Sequence, residues 1–299
     1  MKKVTVACTQ MSCTWNRDEN IAKAKKLIRE AADKGANIIQ IQELFETPYF
    51  AQIVDYDYID LARPRENNPM LNEMCQLARE LRVVLPMSFY EDAGIVRYNT
   101  TAVIDADGRI LGYYRKTHIP DDPGYYEKFY FSPGDTGFKV WDTRYAKIGV
   151  GICWDQWYPE AARIMCLQGA ELLFYPTAIG SFAVPVNELD GASIDYRHWQ
   201  NVMLGHAAAN MAPVVASNRI GVEEEPKAGT AIKFWGASFI SDNIGEIVAE
   251  LDGETEGVAT ATFDMNELAA YRKEIVVFRD RRPEMYKSLL SMGGNLVEF

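Results

Sequence analysis

The chain is poor in histidine, short of basic charge and free of long apolar runs. Its 299 residues include three histidines, His118, His198 and His206. No His-x-x-x-His pair occurs, and the five cysteines (Cys8, Cys13, Cys75, Cys153 and Cys166) form no Cys-x-x-Cys. No metal site is therefore expected. The odd cysteine count and loose spacing point to free thiols in a reducing, cytoplasmic setting. Thirty-one Lys and Arg face 42 Asp and Glu, a net charge of −11. Neither nucleic acid nor an anionic membrane is an expected partner, because phosphate binding needs a basic face. No stretch of about 18 uncharged apolar residues exists, so no membrane-spanning helix is expected. The first residues, Met1-Lys2-Lys3-Val4-Thr5-Val6-Ala7-Cys8, carry too short an apolar run for a signal peptide and read as a strand. No linker rich in Gly, Ser or Pro divides the chain, so residues 1–299 read as one domain.

What is present alternates between two periods. Ile21, Ala24, Leu27, Ile28, Ala31 and Ala32 recur at helical spacing, and Gly35 stands where a C-terminal cap belongs. Residues 37–42 read as a short buried strand, 69–82 as a helix and 83–88 as a strand. Asp105-Ala106-Asp107-Gly108 is a hairpin turn between two strands. Residues 146–152 read as a strand, a helix runs from Pro159 to before Gly169, and 171–175 is the next strand. A helix over 194–211, a strand over 213–217 and antiparallel strands over 230–263 complete the pattern. Helices and strands that alternate, with hairpins inserted, predict an α/β layered sandwich with mixed sheets. Gly35-Ala36-Asn37-Ile38-Ile39 and Gly169-Ala170-Glu171-Leu172-Leu173 each close a helix and open a strand. The echo reads either as a duplicated unit or as shared cap chemistry.

Three residues stand at strand ends, where ligand sites of α/β proteins gather. Cys153 follows a buried strand and precedes the helix that starts near Pro159, which favours a thiolate beside helix N–H groups. A lone cysteine is more often a small buried hydrophobe. Glu43 follows the apolar run Ile38-Ile39-Gln40-Ile41-Gln42, where a carboxylate is either a desolvated base or a solvated loop acid. Lys116, in Tyr113-Tyr114-Arg115-Lys116-Thr117-His118, ends the hairpin and is either half-buried among aromatics or an exposed edge charge. Together the three would form a nucleophilic unit: the acid takes the thiol proton and the ammonium stabilises a tetrahedral oxyanion. A Cys–His pair has less support, since no histidine has an evident partner.

In that order and spacing, Glu43, the Arg115-Lys116-Thr117-His118 block and Gly149-Val150-Gly151-Ile152-Cys153-Trp154-Asp155 resemble the nitrilase superfamily of carbon–nitrogen hydrolases. The resemblance runs from Ala7-Cys8-Thr9-Gln10 to Phe278-Arg279-Asp280-Arg281-Arg282-Pro283. It implies a four-layer α-β-β-α sandwich and catalysis by Glu43, Lys116 and Cys153 without a cofactor. It also implies a second glutamate, Glu127, supporting Lys116, and an oxyanion hole made by Lys116 and the Trp154 backbone N–H. Tyr49, Tyr125, Trp154, Thr177, Ala178 and Glu188 are the implied substrate contacts. A homo-oligomer is implied too, with an extension from about residue 278 packing on the body or on a neighbouring subunit.

Within the superfamily, Tyr114–Phe131, Gly151–Glu160, Tyr175–Ser181 and His198-Trp199 look like a branch that hydrolyses small N-carbamoyl amines. Relatives that take carbamoyl amino acids carry an arginine shortly after the nucleophile; here those positions are Gln156 and Trp157. Arg197 or Arg219 could do the same work from elsewhere. One feature departs from the branch: Phe182 stands where an acidic residue is expected, leaving Glu188, Asp190 or Asp195 to meet an amine. The alternatives are a carbamoyl-amino-acid or aliphatic amide hydrolase, and a binding protein with a dead site, against which the intact Glu43, Lys116 and Cys153 argue.

Overall fold

Along strand β1 (Lys3–Gln10), Val4, Val6 and Cys8 join one apolar cluster while Ala7 joins another. A strand buried on both faces needs that alternation. The computed structural model describes residues 2–192 and 195–295. After β1 come helix α1 (Arg17–Asp33), β2 (Ile38–Gln40), α2 (Pro69–Leu81), β3 (Leu85–Asp92), β4 (Arg97–Ile104) and β5 (Ile110–Arg115). The one-turn helix α3 (Glu127–Tyr130) leads to β6 (Val140–Asp142), β7 (Lys147–Val150), α4 (Pro159–Leu167), β8 (Leu172–Pro176), β9 (Val184–Pro185) and α5 (Tyr196–Asn210). The chain continues through β10 (Val214–Ser217), β11 (Ile220–Glu225), β12 (Thr230–Trp235), β13 (Phe239–Ser241), β14 (Ile247–Glu250), β15 (Gly257–Asp264) and α6 (Met265–Glu274).

One sheet runs β15-β1-β2 and continues into the β3-β4-β5 meander through the bridge Ile38–Val84. The other runs β14-β13-β10-β8-β7-β6. Both are mixed: β1–β2, β7–β8 and β8–β10 are parallel, and the outer pairs are antiparallel. Val4, Val6, Ile38 and Val84 from the first sheet meet Ile148, Leu172, Phe174 and Val215 from the second. On the far side of the first sheet, α1 and α2 bury Ala24, Leu27, Leu71 and Met74. On the far side of the second, α4 and α5 bury Ala162, Met165, Trp199 and Met203. This is the expected four-layer sandwich. A third, small sheet, β11-β12-β9, flanks the strand ends.

The two sequence echoes share one cap. Gly35, at φ +85°, and Gly169, at φ +101°, each follow a helix in the left-handed region. The pairs Gly35 N–Ala32 O and Ala36 N–Ala31 O recur as Gly169 N–Cys166 O and Ala170 N–Met165 O. That is a Schellman motif twice over. Helix starts are fixed with equal economy: Asn16 accepts from Glu19 N, and Asn68, ahead of Pro69, accepts from Leu71 N. Such caps contribute about 1 kcal/mol each.

Some boundaries differ from expectation. Strand β7 stops at Val150, because residues 153–157 coil into a 3-10 turn. Helix α5 is helical from Tyr196, and the expected Ile194 lies outside the described residues. Strand β11 and helix α6 have no counterpart in the sequence reading. Beyond α6, Phe278 packs against the α4–α5 cluster with the Arg163 guanidinium 4.8 Å from its ring. Among the described residues, no helix is long and apolar enough to cross a membrane.

Candidate active site

Glu43, Lys116 and Cys153 each follow the C-terminal end of a strand (β2, β5 and β7), and the sandwich brings all three together with Glu127. The Gln42 side chain, paired both ways with the Met11 main chain at 3.0 and 2.7 Å, anchors the turn that carries Glu43. Lys116 leaves the hairpin with its N–H on Asn99 O at 2.9 Å and its carbonyl accepting from Gly134 N at 2.8 Å. Its ammonium donates to Glu43 Oε1 at 2.8 Å and to Glu127 Oε2 at 2.7 Å. Asn99 Nδ2 donates to Glu43 Oε1 at 2.6 Å, and Tyr49 OH donates to Glu127 Oε1 at 2.6 Å.

The cysteine sits on a tight elbow. Its φ is +43°, a left-handed conformation that costs a non-glycine residue about 1–3 kcal/mol and needs firm support. Asp155 supplies that support. Its Oδ2 accepts from Ile152 N at 2.9 Å and Tyr114 OH at 2.7 Å, and its Oδ1 accepts from His118 N at 3.0 Å. His118 Nδ1 also lies 2.7 Å from that oxygen, and its ring stacks on Tyr158 at 3.6 Å. Gly151 is needed at the approach, since a Cβ there would stand 2.8 Å from the Tyr175 ring.

Burial sets the electrostatics. Glu43 and Glu127 are fully buried and Lys116 is 1% exposed, whereas Cys153 keeps 4% exposure and reaches a cavity. Burial alone would lower the Lys116 ammonium, but the Glu127 and Glu43 carboxylates outweigh it and hold the group above the ordinary lysine range. Burial raises Glu127 to about 7, against the pull of Lys116. Burial, then the Glu43 charge, pushes the Cys153 thiol well above its ordinary value, with Lys116 opposing. The thiolate expected from helix N–H groups is therefore corrected. In the five-residue turn Cys153–Trp157, desolvation and the neighbouring carboxylates outweigh Lys116 and favour the protonated thiol.

The cavity has a volume of about 220 Å³ and is lined by Cys153, Trp154, Tyr125 and Ala178, with Trp157, Phe182 and Trp235 as aromatic walls. Asp122 and Asp195 line it too, and no lysine or arginine does so among the described residues. Three expected substrate contacts lie elsewhere. Tyr49 is buried behind the cavity with its hydroxyl on Glu127. Thr177 Oγ1 donates to Gln156 Oε1 at 2.8 Å and does not line the cavity. Glu188 is exposed on the 3-10 turn Val186–Gly191, which follows β9, and does not line the cavity. Gln156 is buried, its carbonyl bonded to His206 Nε2 at 2.7 Å, so of Gln156 and Trp157 only Trp157 lines the cavity. Arg219 is fully buried and Arg197 is exposed beside the Tyr196 ring, and neither lines the cavity.

Sequence reasoning overlooked Asn99, Asp155 and Asp122. Asn99 had a signal: the hairpin register pairs Thr100 with Arg115, which sets Asn99 opposite Lys116. Asp155 had one in its offset of two from Cys153. Asp122 had none, since only the folded loop brings it to the opening.

A buried thiol, ammonium and carboxylate pair on an α-β-β-α sandwich marks out a class. The chain belongs to the carbon–nitrogen hydrolase family, whose pattern matches residues 5–273, and it is an enzyme acting on carbon–nitrogen bonds other than peptide bonds. It is 55% identical over 298 residues to N-carbamoylputrescine amidase of Arabidopsis thaliana, covering 99% of this chain and 98% of that protein. It is 50% identical over 290 residues to citrullinase of Francisella tularensis, covering 97% and 99%. Among solved structures, a carbon–nitrogen hydrolase from Helicobacter pylori superposes with a TM-score of 0.90 at 37% identity, covering 97% of this chain and 99% of that one.

Proposed function

We propose that the enzyme hydrolyses small N-carbamoyl amines, N-carbamoylputrescine foremost, to the amine, ammonia and carbon dioxide. One observation carries the reading: the thiol opens into a cavity that holds two carboxylates, Asp122 and Asp195, and no cationic side chain among its described residues. A substrate carboxylate desolvated there would lack a partner, while a distal ammonium would gain one.

The steps follow from the charges. Glu43 takes the Cys153 proton as sulfur attacks the ureido carbon. The oxyanion is held by the Lys116 ammonium and the Trp154 N–H. Glu43 returns the proton to the terminal nitrogen, and ammonia leaves. Water, deprotonated by Glu43, attacks the carbamoyl thioester and frees the thiol. The N-substituted carbamate then loses carbon dioxide and leaves the amine. Glu127 keeps Lys116 charged and in place, and Tyr49 holds Glu127.

Ammonia release across N-carbamoylputrescine, N-carbamoylcadaverine, N-carbamoyl-β-alanine and citrulline tests the assignment. The expected result is a kcat/KM for N-carbamoylputrescine at least about tenfold above that for N-carbamoyl-β-alanine, about 1.4 kcal/mol of discrimination. Citrulline is the second reading, favoured by the citrullinase relative. It bears an amine and a carboxylate at the same end, and faster turnover of citrulline would overturn the amine-tail assignment.

The same proposal takes the chain as one domain at work in the cytoplasm as a homo-oligomer. Five free cysteines support the reducing setting. The exposed Met285, Leu289, Leu290 and Met292, all beyond residue 278, support burial against a second copy. Light scattering of the purified protein tests the assembly, and a monomer would refute it.

A further inference from the structure

Arg219 is among the largest fully buried side chains of the molecule, yet it lies outside the cavity and outside the reaction steps. It sits between β10 and β11 and reaches across to the segment that follows β2. Its Nη2 donates to Glu43 O at 3.0 Å and Leu44 O at 3.1 Å. Its Nη1 donates to Thr47 O at 3.2 Å and to Glu223 Oε1 at 2.7 Å. Glu223, on β11, completes the grip: its Oε2 accepts from Tyr49 N at 2.5 Å, and its carbonyl accepts from Gln52 Nε2 at 3.2 Å. One ion pair thus holds main-chain or side-chain groups of residues 43, 44, 47, 49 and 52.

That segment needs holding. Leu44 has φ +49°, a conformation unfavourable for a branched side chain. The segment delivers two arms of the polar cluster, the Glu43 carboxylate and the Tyr49 hydroxyl, onto Lys116 and Glu127. A buried ion pair is seldom an efficient source of stability, since an apolar pair of similar volume often does as well or better. A fork of several donors is instead suited to fixing carbonyls in space.

We infer that Arg219 and Glu223 are positioning residues for catalysis: their buried pair sets the register of the 43–52 segment, so that Glu43 meets the thiol proton and Tyr49 meets Glu127. This rests on the assignment of Cys153 as nucleophile and Glu43 as base. Misplacing a reacting group by about 1 Å can cost roughly a hundredfold in rate.

The test is the double variant Arg219→Met/Glu223→Met, which removes both charges together and leaves neither unpaired. The expected result is a folded protein whose kcat falls by at least about tenfold while KM stays within about threefold, because the cavity walls are untouched. The pH profile of Cys153 alkylation by iodoacetamide, followed from pH 6 to pH 10, should move downward, because the Glu43 charge that raises the thiol is displaced from it. This readout needs no substrate, so a parent protein that releases no ammonia would refute the functional assignment while leaving the positioning test intact. A double variant that is folded and has the parent kcat and alkylation profile overturns the inference. Should the double variant not fold, Glu223→Gln decides by the same two readouts, since it keeps the shape but replaces with a donor one of the two oxygens that serve Arg219 and Tyr49 N. Parent values there overturn the inference, and a lowered kcat with a moved profile supports it.

Discussion

The two ends of the cavity are built on different physics. At the thiol end, Glu43, Lys116, Glu127 and Asn99 are buried and bonded to one another at 2.6–2.8 Å. Asp155 fixes the elbow with three further donors. At the opening, Phe182 is 60% exposed, Asp195 is exposed and Asp122 is half-buried. A buried polar network is held to its geometry, because an unpaired group there costs desolvation, as Glu43 Oε2 and Asn99 Oδ1 do with no hydrogen-bond partner among the described residues. A wet rim tolerates exchange, because water replaces whatever partner is lost. The thiol end is therefore rigidly specified and the rim loosely so.

The largest break comes at the nucleophile. Cys153→Ala should reduce ammonia release below about 0.1% of the parent without loss of the folded circular dichroism spectrum, whereas Cys166→Ala, inside α4, should keep most activity. Near-parent turnover by Cys153→Ala would end the mechanism. Next is Lys116→Met, which leaves Glu43 and Glu127 buried without their cation. Urea unfolding should show a loss of about 3–5 kcal/mol, against under about 1 kcal/mol for exposed pairs such as Arg29–Glu80.

The rim gives smaller effects of a different kind. Asp122→Asn or Asp195→Asn should raise KM for N-carbamoylputrescine about threefold to tenfold and leave kcat within about twofold. With an uncharged N-carbamoyl-alkylamine neither change should matter. Glu188→Gln, away from the opening, should change nothing on either substrate, and an effect there equal to that at Asp195 would return Glu188 to the site.

The smallest prediction concerns pH. Glu127 is raised from 4.5 to about 7 by burial, so the folded protein binds this proton more tightly than the unfolded chain. Its contribution to stability is complete below about pH 4.5 and is lost as pH rises through about 7. Glu127→Gln should flatten the Tm-against-pH curve in that window. Parallel curves for parent and variant would place the titration elsewhere in the cluster.

The same contrast governs what could be read from the sequence. Strand ends were legible, because Ile38–Gln40 and Lys147–Val150 are short apolar runs and the residues after them have to emerge at the sheet edge. Helices α1 and α2 were legible from their periodicity, and the end of α1 from Gly35. Partners separated by long stretches of chain were not: Asn99 reaches Glu43 across 56 residues and Arg219 reaches it across 176. No local pattern encodes such pairings. Of the acids that follow Phe182 in the chain, Asp195 lines the cavity and Glu188 does not, a choice that no local pattern encodes.

Above the range in which Glu127 titrates, the two carboxylates that share Lys116 give the inner chamber a constant formal charge. With a protonated thiol, one ammonium and two carboxylates, it carries one net negative charge. When sulfur attacks and Glu43 accepts the proton, the oxyanion replaces the lost carboxylate charge and the sum is unchanged. When ammonia departs with that proton, the sum is unchanged again. No ion has to cross the apolar wall during acylation; a proton is only handed between neighbours inside it. In the proposed reaction the one mobile positive charge, on the distal amine, stays outside among Asp122 and Asp195. On that proposal the charge that identifies the substrate is kept apart from the charges that transform it, so that each compartment is open to retuning without disturbing the other.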